Sequence, residues 1–404
     1  MKKKQNKWIK PRHRIIRNIL CAVIKPYSVW KYGIKIEKFK EQENRNYLIL
    51  YNHQTAFDQF FVGMAFKGPI YYLASEDLFS KGFVSSIIRW LVNPIPIKKQ
   101  ANDIGAVLNC IRVAKEGGTI AIAPEGNRTY SGKTGYMSPS IAMMAKKLKL
   151  PVLLYRIEGG YGVHPRWSDV VRKGKMRSYV SEVIHPEEYL ELSDEALMER
   201  IEKGLFVDEG NDKAVFKSDK RAEFLERAMY VCPFCGLSEF HSAGNKIKCK
   251  KCGRKIKYNE NTRLEGVGFD FPFEFVGEWY DYQENFINNL NPSDYTEEPL
   301  YKDVSGFFEV IPNKKKITID KEAEVSLYGD RIVINQGKET ETVFDFESAT
   351  AVAVLGRNKL NIYYDKRVYQ LKSGKRFNAL KYLNIYHRFD NIRKGEENGK
   401  FLGL

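Results

Sequence analysis

No stretch of the chain reaches the roughly 18 uninterrupted apolar residues that a membrane-spanning helix requires. The N-terminal residues are not expected to act as a secretory signal either. The first apolar stretch is cut by Arg17 and Lys25 and has no small-residue cleavage site. Any contact with a membrane is therefore expected from the surface. Cysteine is scarce, six in 404 residues, and its placement excludes a disulfide framework of the secreted kind. Cys21 and Cys110 stand alone in apolar stretches, whereas Cys232/Cys235 and Cys249/Cys252 form two tight pairs. That is metal-site spacing, and it points to a reducing, cytosolic setting. Acidic residues are absent from positions 1–17, and no internal repeat or further low-complexity tract is present.

What is present describes a folded protein of two or three domains. Hydrophobic residues make up 43% and charged residues 29%, enough for a sizeable core. The formal net charge of +16 favours an acidic partner: nucleic acid, an anionic membrane surface or a phosphorylated substrate. Positions 1–17 hold Lys2, Lys3, Lys4, Lys7, Lys10, Arg12, Arg14 and Arg17. Ile15, Ile16, Ile19, Leu20, Val23 and Ile24 then follow at helical spacing, with Pro26 expected to end the helix and Tyr27, Trp30 and Tyr32 just beyond. Basic residues, an aliphatic face and flanking aromatics describe an interfacial anchor over 1–34. A cationic tail leading into a core-packed helix is the alternative.

Residues 35–206 alternate strand and helix. Strands are expected at 47–51, 70–74, 95–98, 119–123, 152–157 and 177–184, with helices at 101–116 and 138–149. Such alternation predicts an α/β layer with a mostly parallel sheet flanked by helices, and a ligand site at the strand ends. Residues 207–230 read as a polar linker with a short helix at about 219–230. A metal ribbon follows at 231–258, then a connecting region at 259–304 with a helix near 278–290. Residues 305–395 hold seven short alternating segments and one helix at about 376–390. This pattern resembles a pleckstrin-homology-like antiparallel barrel closed by a C-terminal helix.

Two motifs carry the chemistry, each directly after a strand. In Asn52-His53-Gln54-Thr55-Ala56-Phe57-Asp58, residues five apart would diverge by roughly 140° on one continuous helix. His53 therefore has to lie in a loop, with the helix starting near Thr55, for Asp58 to reach its ring. The pair would then form a general base with an orienting carboxylate. In Ala123-Pro124-Glu125-Gly126-Asn127-Arg128, Gly126 allows positive φ and Arg128 offers a planar fork to phosphate oxygens. Glu125 is placed either to hold Arg128 or to bind an acceptor hydroxyl.

Together the motifs resemble the glycerolipid acyltransferase family over about residues 35–190. Asn52, His53 and Asp58 match its first block, and Pro124, Glu125, Gly126 and Arg128 its third. Ala123, Asn127 and Thr129 replace the usual Phe, Thr and Ser. Lys99 stands where the second block normally has Arg, which keeps the charge and loses the bidentate geometry. In the fourth block Pro151 matches and Leu154 replaces the second proline. The resemblance implies direct acyl transfer from an acyl thioester (coenzyme A or acyl carrier protein) to a lysophospholipid. His53 would be the base and Asp58 its orienter. Arg128 and Lys99 would hold the phosphate, with Glu125 and Gly126 shaping the pocket. No catalytic cofactor is implied.

The two Cys-x-x-Cys-Gly knuckles, 13 residues apart, predict a structural zinc site of Cys232, Cys235, Cys249 and Cys252. Lys246, Lys248, Lys250, Lys251, Arg254, Lys255 and Lys257 make this ribbon basic. The expectation is a peripheral enzyme on the cytoplasmic face of the cell membrane, bound to anionic lipid and converting 1-acyl-glycerol-3-phosphate to phosphatidate. Other lysophospholipids or hydroxylated lipids are alternative acceptors. A reading from another class is an inactive adaptor that binds nucleic acid or protein through the ribbon, although nucleic acid is the less favoured partner. His164 and His185 are expected to be structural.

Overall fold

A computed structural model describes residues 7–40, 45–79, 82–97, 103–209, 214–311 and 316–396. The chain divides into two compact units. The first comprises residues 1–129, 133–163 and 173–209, and the second 130–132, 164–172 and 210–404. Two short excursions from the 35–206 segment thus belong to the second unit.

The first unit is a seven-stranded sheet: β1 (Ile34–Ile36), β2 (Leu48–Tyr51), β3 (Ile70–Ser75), β4 (Ile95–Ile97), β5 (Thr119–Ile122), β6 (Val152–Glu158) and β7 (Met176–Ile184). Its order is β1-β7-β6-β2-β5-β3-β4, and every neighbouring pair is parallel except β6–β7. The helices are α1 (Pro11–Tyr32), α2 (Asp58–Ala65), α3 (Phe83–Val92), α4 (Ile104–Lys115), α5 (Ser140–Leu148) and α8 (Asp194–Leu205), with single turns α6 (Gly160–Val163) and α7 (Pro186–Tyr189). Strand β2 is buried at all four positions, as expected of a central strand covered on both faces. Leu48, Leu50, Ile120, Ile122, Val152 and Leu154 form the core with Val113, Ala142, Ala145 and Ile201 from the covering helices. Asp103 caps α4 through the amide of Ala106, and Gly117, at φ +82°, ends it.

Pro26 does not end the first helix, which continues to Tyr32. Pro26 and Ala22, whose carbonyl loses its donor, are both exposed, so water can take that bond. Buried Ser28 and Tyr32 hold the far half of the helix in place.

The second unit contains a hairpin of β8 (Val231–Cys232) and β9 (Gly236–Leu237). A four-stranded antiparallel sheet follows, of β10 (Phe240–Ala243), β11 (Lys246–Cys249), β12 (Lys255–Tyr258) and β13 (Leu264–Gly266). After α9 (Val276–Asn288) come β14 (Tyr301–Glu309), β15 (Ile317–Leu327), β16 (Arg331–Ile334), β17 (Thr342–Asp345), β18 (Ala351–Leu355), β19 (Lys359–Tyr364) and β20 (Arg367–Lys372). Their order, β17-β16-β15-β14-β20-β19-β18, joins a four-strand and a three-strand meander through the first and last strands. Helix α10 (Leu380–Arg393) packs on β18. This is the barrel-like antiparallel domain with a C-terminal helix that the sequence predicts.

Three readings are corrected. The helix expected at 219–230 is a set of turns with one 3-10 turn at Leu225–Arg227. Polar side chains there are drawn inward, with Arg227 on Asp169 and Glu226 on Ser242 and Arg376, and these anchors override helical propensity. The segments at 316–319 and 324–328 merge into the single strand β15. Strand β14 begins at Tyr301, so the barrel starts inside the region read as a connector.

Gly33, at φ +59°, caps α1 and turns the chain into β1, and a Cβ there would meet the Gly174 carbonyl oxygen at 2.2 Å. Gly33→Ala is expected to destabilise the protein by at least about 1–2 kcal/mol from left-handed strain alone. Chemical denaturation of the variant measures this.

Candidate active site and metal centre

Strands β2 and β5 are adjacent and parallel, with a constant offset of 72 residues from Leu48↔Ile120 to Leu50↔Ile122. Both motifs therefore leave the sheet at its C-terminal edge, side by side, where ligands of such sheets bind. The offset persists past the strands: the His53 amide donates to Glu125 Oε1 at 2.7 Å. Glu125 Oε2 accepts from the Gly135 amide at 2.7 Å. The Thr129 amide donates to the His53 carbonyl at 3.1 Å. His53 is thus held at its backbone N–H and its C=O by the neighbouring loop.

The ring is fixed separately. His53 Nδ1 lies 2.8 Å from Asp58 Oδ2. Asp58 is fully buried, whereas the His53 side chain is 21% exposed. The amide of Gln54 (2.6 Å), the amide of Thr55 (2.9 and 3.0 Å) and the Thr55 hydroxyl (2.7 Å) also donate to the Asp58 carboxylate. With Asp58 as acceptor, the proton of a neutral ring sits on Nδ1, and Nε2 carries the lone pair. The helix starts at Asp58 rather than near Thr55, because residues 54 and 55 wrap their amides around that carboxylate. His53 does lie in the preceding loop, as the angular argument requires.

The sequence left two roles open for Glu125. In the structure both of its oxygens join loops through backbone amides. Burial pushes its carboxyl up to about 8, against the two amide donors that pull it down. Gly126 adopts φ +68° and closes the turn through its amide on the Ala123 carbonyl. Arg128 is half-buried in the same loop, two residues on. Lys99 lies outside the described residues.

Sequence reasoning gave no role to Asn52. Its side-chain amide brackets Ile157 on β6, donating to the carbonyl at 2.8 Å and accepting from the amide at 2.7 Å. It locks the end of β2 to its other neighbour, and its place at the head of the Asn-His block was the available signal. A cavity of about 550 Å³ was also not foreseen. It is lined by His53, by Phe60 and Met64 of α2, Tyr72 and Leu73 of β3, Ile88 and Leu91 of α3, and Leu20 and Ile24 of α1. Ile70 also lines it, and strand pairing through β5 sets Ile70 level with position 47. At about 3.3 Å per residue the cavity runs roughly 20 Å from there to His53.

In the second unit, the sulfurs of Cys232, Cys235, Cys249 and Cys252 all lie within 4.8 Å of one another. Cys232–Cys252 and Cys235–Cys249 are 3.8 and 3.6 Å apart. A tetrahedron of zinc–thiolate bonds of about 2.3 Å has edges of about 3.8 Å, so the donor set fits zinc. Gly236 and Gly253, after each pair, take φ +73° and +76°, as knuckle turns require. With four thiolates as ligands, such a site would be structural.

Residues 34–157 match the family model described as Acyltransferase. Among curated proteins, the chain is similar to the 1-acyl-sn-glycerol-3-phosphate acyltransferase of Borreliella burgdorferi. The two are 32% identical over 138 residues, which is 32% of this chain and 54% of that protein. It is also similar to the enzyme of the same name from Bacillus subtilis, 25% identical over 145 residues, covering 33% of this chain and 68% of that protein. The chain thus spans about half the length of the first of these relatives. Among solved structures, it is similar to the 1-acyl-sn-glycerophosphate acyltransferase PlsC from Thermotoga maritima, at 24% identity and a TM-score of 0.39, over 47% of this chain and 78% of that one.

Two outcomes are expected. A folded-state Glu125 carboxyl near 8 keeps a proton that the unfolded chain loses near 4.5, so its contribution to stability falls as pH rises between those values. Glu125→Gln should remove this slope. The variant's melting temperature relative to wild type then rises from pH 5 to pH 8, as calorimetry would read. Elemental analysis is expected to find one zinc per chain, and Cys249→Ser should lower that occupancy. A wild-type protein free of metal after purification without chelators would refute the zinc assignment.

Proposed function

We propose that the protein transfers an acyl group from an acyl thioester to the free hydroxyl of a lysophospholipid, with 1-acyl-glycerol-3-phosphate the favoured acceptor. The observation that carries this reading is His53, with its ring locked to buried Asp58 at 2.8 Å, lining a largely apolar cavity and beside the Arg128 loop. His53 Nε2 takes the proton of the acceptor hydroxyl as that oxygen attacks the thioester carbonyl. Asp58 stabilises the imidazolium that results. The carbon–sulfur bond then breaks, and the imidazolium returns the proton to the departing thiolate. Arg128 pairs with the acceptor phosphate, with Lys99 as a second cation. The cavity receives the acyl chain, since its lining is apolar and its depth suits an extended hydrocarbon.

Membrane docking is proposed through α1 and α3. Helix α1 puts Leu20 and Ile24 on the cavity and leaves Ile15, Ile19, Val23 and Trp30 in solvent. Trp30 is 77% and Phe83, which opens α3, 80% exposed, and Val84, Ile87 and Trp90 continue that apolar surface. Arg12, Arg14, Lys25 and Lys31 accompany it on α1. An apolar face with cations beside it suits the boundary of an anionic bilayer on its cytoplasmic side. Among the described residues no helix is long and apolar enough to cross a membrane.

Purified protein with labelled acyl-coenzyme A or acyl carrier protein and a panel of lysophospholipids should give a diacyl product, identified by lipid mass analysis. His53→Ala is expected to abolish transfer with the fold intact by circular dichroism. Asp58→Asn should lower kcat by roughly 10²–10⁴-fold. Near wild-type turnover in His53→Ala would sink the mechanism. Met64→Trp, which fills the cavity, should shift preference toward shorter acyl chains.

A further inference from the structure

The zinc-ribbon sheet has one buried face and one exposed face. Phe240, Ser242, Ile247, Cys249, Ile256, Tyr258 and Leu264 point inward, whereas His241, Lys246, Lys248, Lys255 and Glu265 are exposed and Lys257 is half-exposed. Strand register sets these side chains in two rows. In one, His241 pairs with Lys248 and Lys248 with Lys255. In the other, Lys246 pairs with Lys257, and Lys257 with Glu265. Lysines therefore stand directly opposite lysines twice, and like charges opposite one another destabilise a sheet. Among the described residues, the anion within the grid is Glu265, 3.6 Å from Lys257.

The knuckle cations serve other ends. Lys251 donates to the Cys235 carbonyl, Lys250 pairs with Glu239 at 2.8 Å, and Arg254 lies over the Phe234 ring at 4.3 Å. Among the described residues, Lys246, Lys248 and Lys255 have no such role, and Lys257 has only its pairing with Glu265. We propose that this face is a docking surface for anionic phospholipid headgroups. Opposed lysines are then neutralised by phosphates outside the sheet rather than by partners within it. The residue types favour lipid over nucleic acid. Lysine is a mobile point charge suited to a fluid array of phosphates, whereas fixed phosphates and base edges favour arginine forks. The grid's one ring is the His241 imidazole, and it carries no Phe, Tyr or Trp, the larger platforms on which bases stack. Phosphatidate, the product under the reading above, is one such anion, and the proposal rests on that reading only there.

Full-length protein is sedimented with vesicles of phosphatidylcholine alone and of phosphatidylcholine mixed with phosphatidylglycerol or phosphatidate. Lys248→Gln/Lys255→Gln should weaken binding to both anionic compositions by roughly 25-fold, at about fivefold per lysine. The quadruple variant that adds Lys246→Gln and Lys257→Gln should lose more. Binding to neutral vesicles, zinc content and transfer to detergent-dispersed acceptor should stay unchanged. Unaltered affinity for anionic vesicles in folded, zinc-replete variants would overturn the proposal. So would a loss confined to duplex DNA or single-stranded RNA, measured in parallel. Absence of acyl transfer in the wild type would remove the enzymatic reading and leave the vesicle result standing.

Discussion

The site depends on one buried carboxylate. Asp58 is fully removed from solvent, and an unpaired charge there would be prohibitive. It is accommodated because the preceding loop turns its own amides and a hydroxyl toward it before the helix begins. The same bonds that satisfy Asp58 dictate the path of residues 53–57, and that path aims the His53 ring. Loop shape, charge satisfaction and tautomer choice are thus one constraint. Replacing Asp58 would leave several inward-facing donors without an acceptor, so geometry and electrostatics fail together.

The second constraint is the sheet. A parallel pair delivers its loops to one edge, and a constant offset of 72 carries the register from Leu48↔Ile120 out to His53 and Glu125. Glu125 then acts as a rivet between the β2 loop, its own loop and residue 135, while Asn52 rivets β2 to β6 on the other side. Both side chains are buried and hydrogen-bonded chiefly to backbone. Each keeps a neighbouring strand end from drifting and so fixes the distance between His53 and the arginine loop. Glu125, for which the sequence left a ligand role open, and Asn52, for which it gave none, are both bonded to backbone as joints in the scaffold.

What was legible in the sequence follows from locality. The apolar runs that became β2, β3, β5 and β6 each lie between clear turn signals, and five-residue spacing alone placed His53 in a loop. The paired cysteines declared their site because metal geometry demands that spacing. The rest depends on contacts between distant segments. The cavity arises where α1, α2, β3 and α3 meet, and no single one of them encodes it. Pro26 read as a stop because its local cost was visible, whereas the packing of Ser28 and Tyr32 that offsets it was not. At 219–230, Arg227 and Glu226 found partners at Asp169, Ser242 and Arg376, far away in sequence.

Helix α1 shows how one amphipathic segment serves two surfaces. Its apolar residues form not one stripe but two. Leu20 and Ile24 close the cavity beside α2, and Ile15, Ile19 and Val23 lie on the solvent side. A helix packed only as core would not keep the second stripe exposed, and one that served only as an anchor would not line a cavity. The same helix wall therefore separates the hydrocarbon-sized space inside from an apolar surface outside. Under the proposed chemistry this matters, because both the donor chain and the acceptor are poorly soluble in water. With the membrane docking proposed above, an apolar cavity wall that also faced the bilayer would let such substrates pass from bilayer to cavity with little apolar surface meeting water.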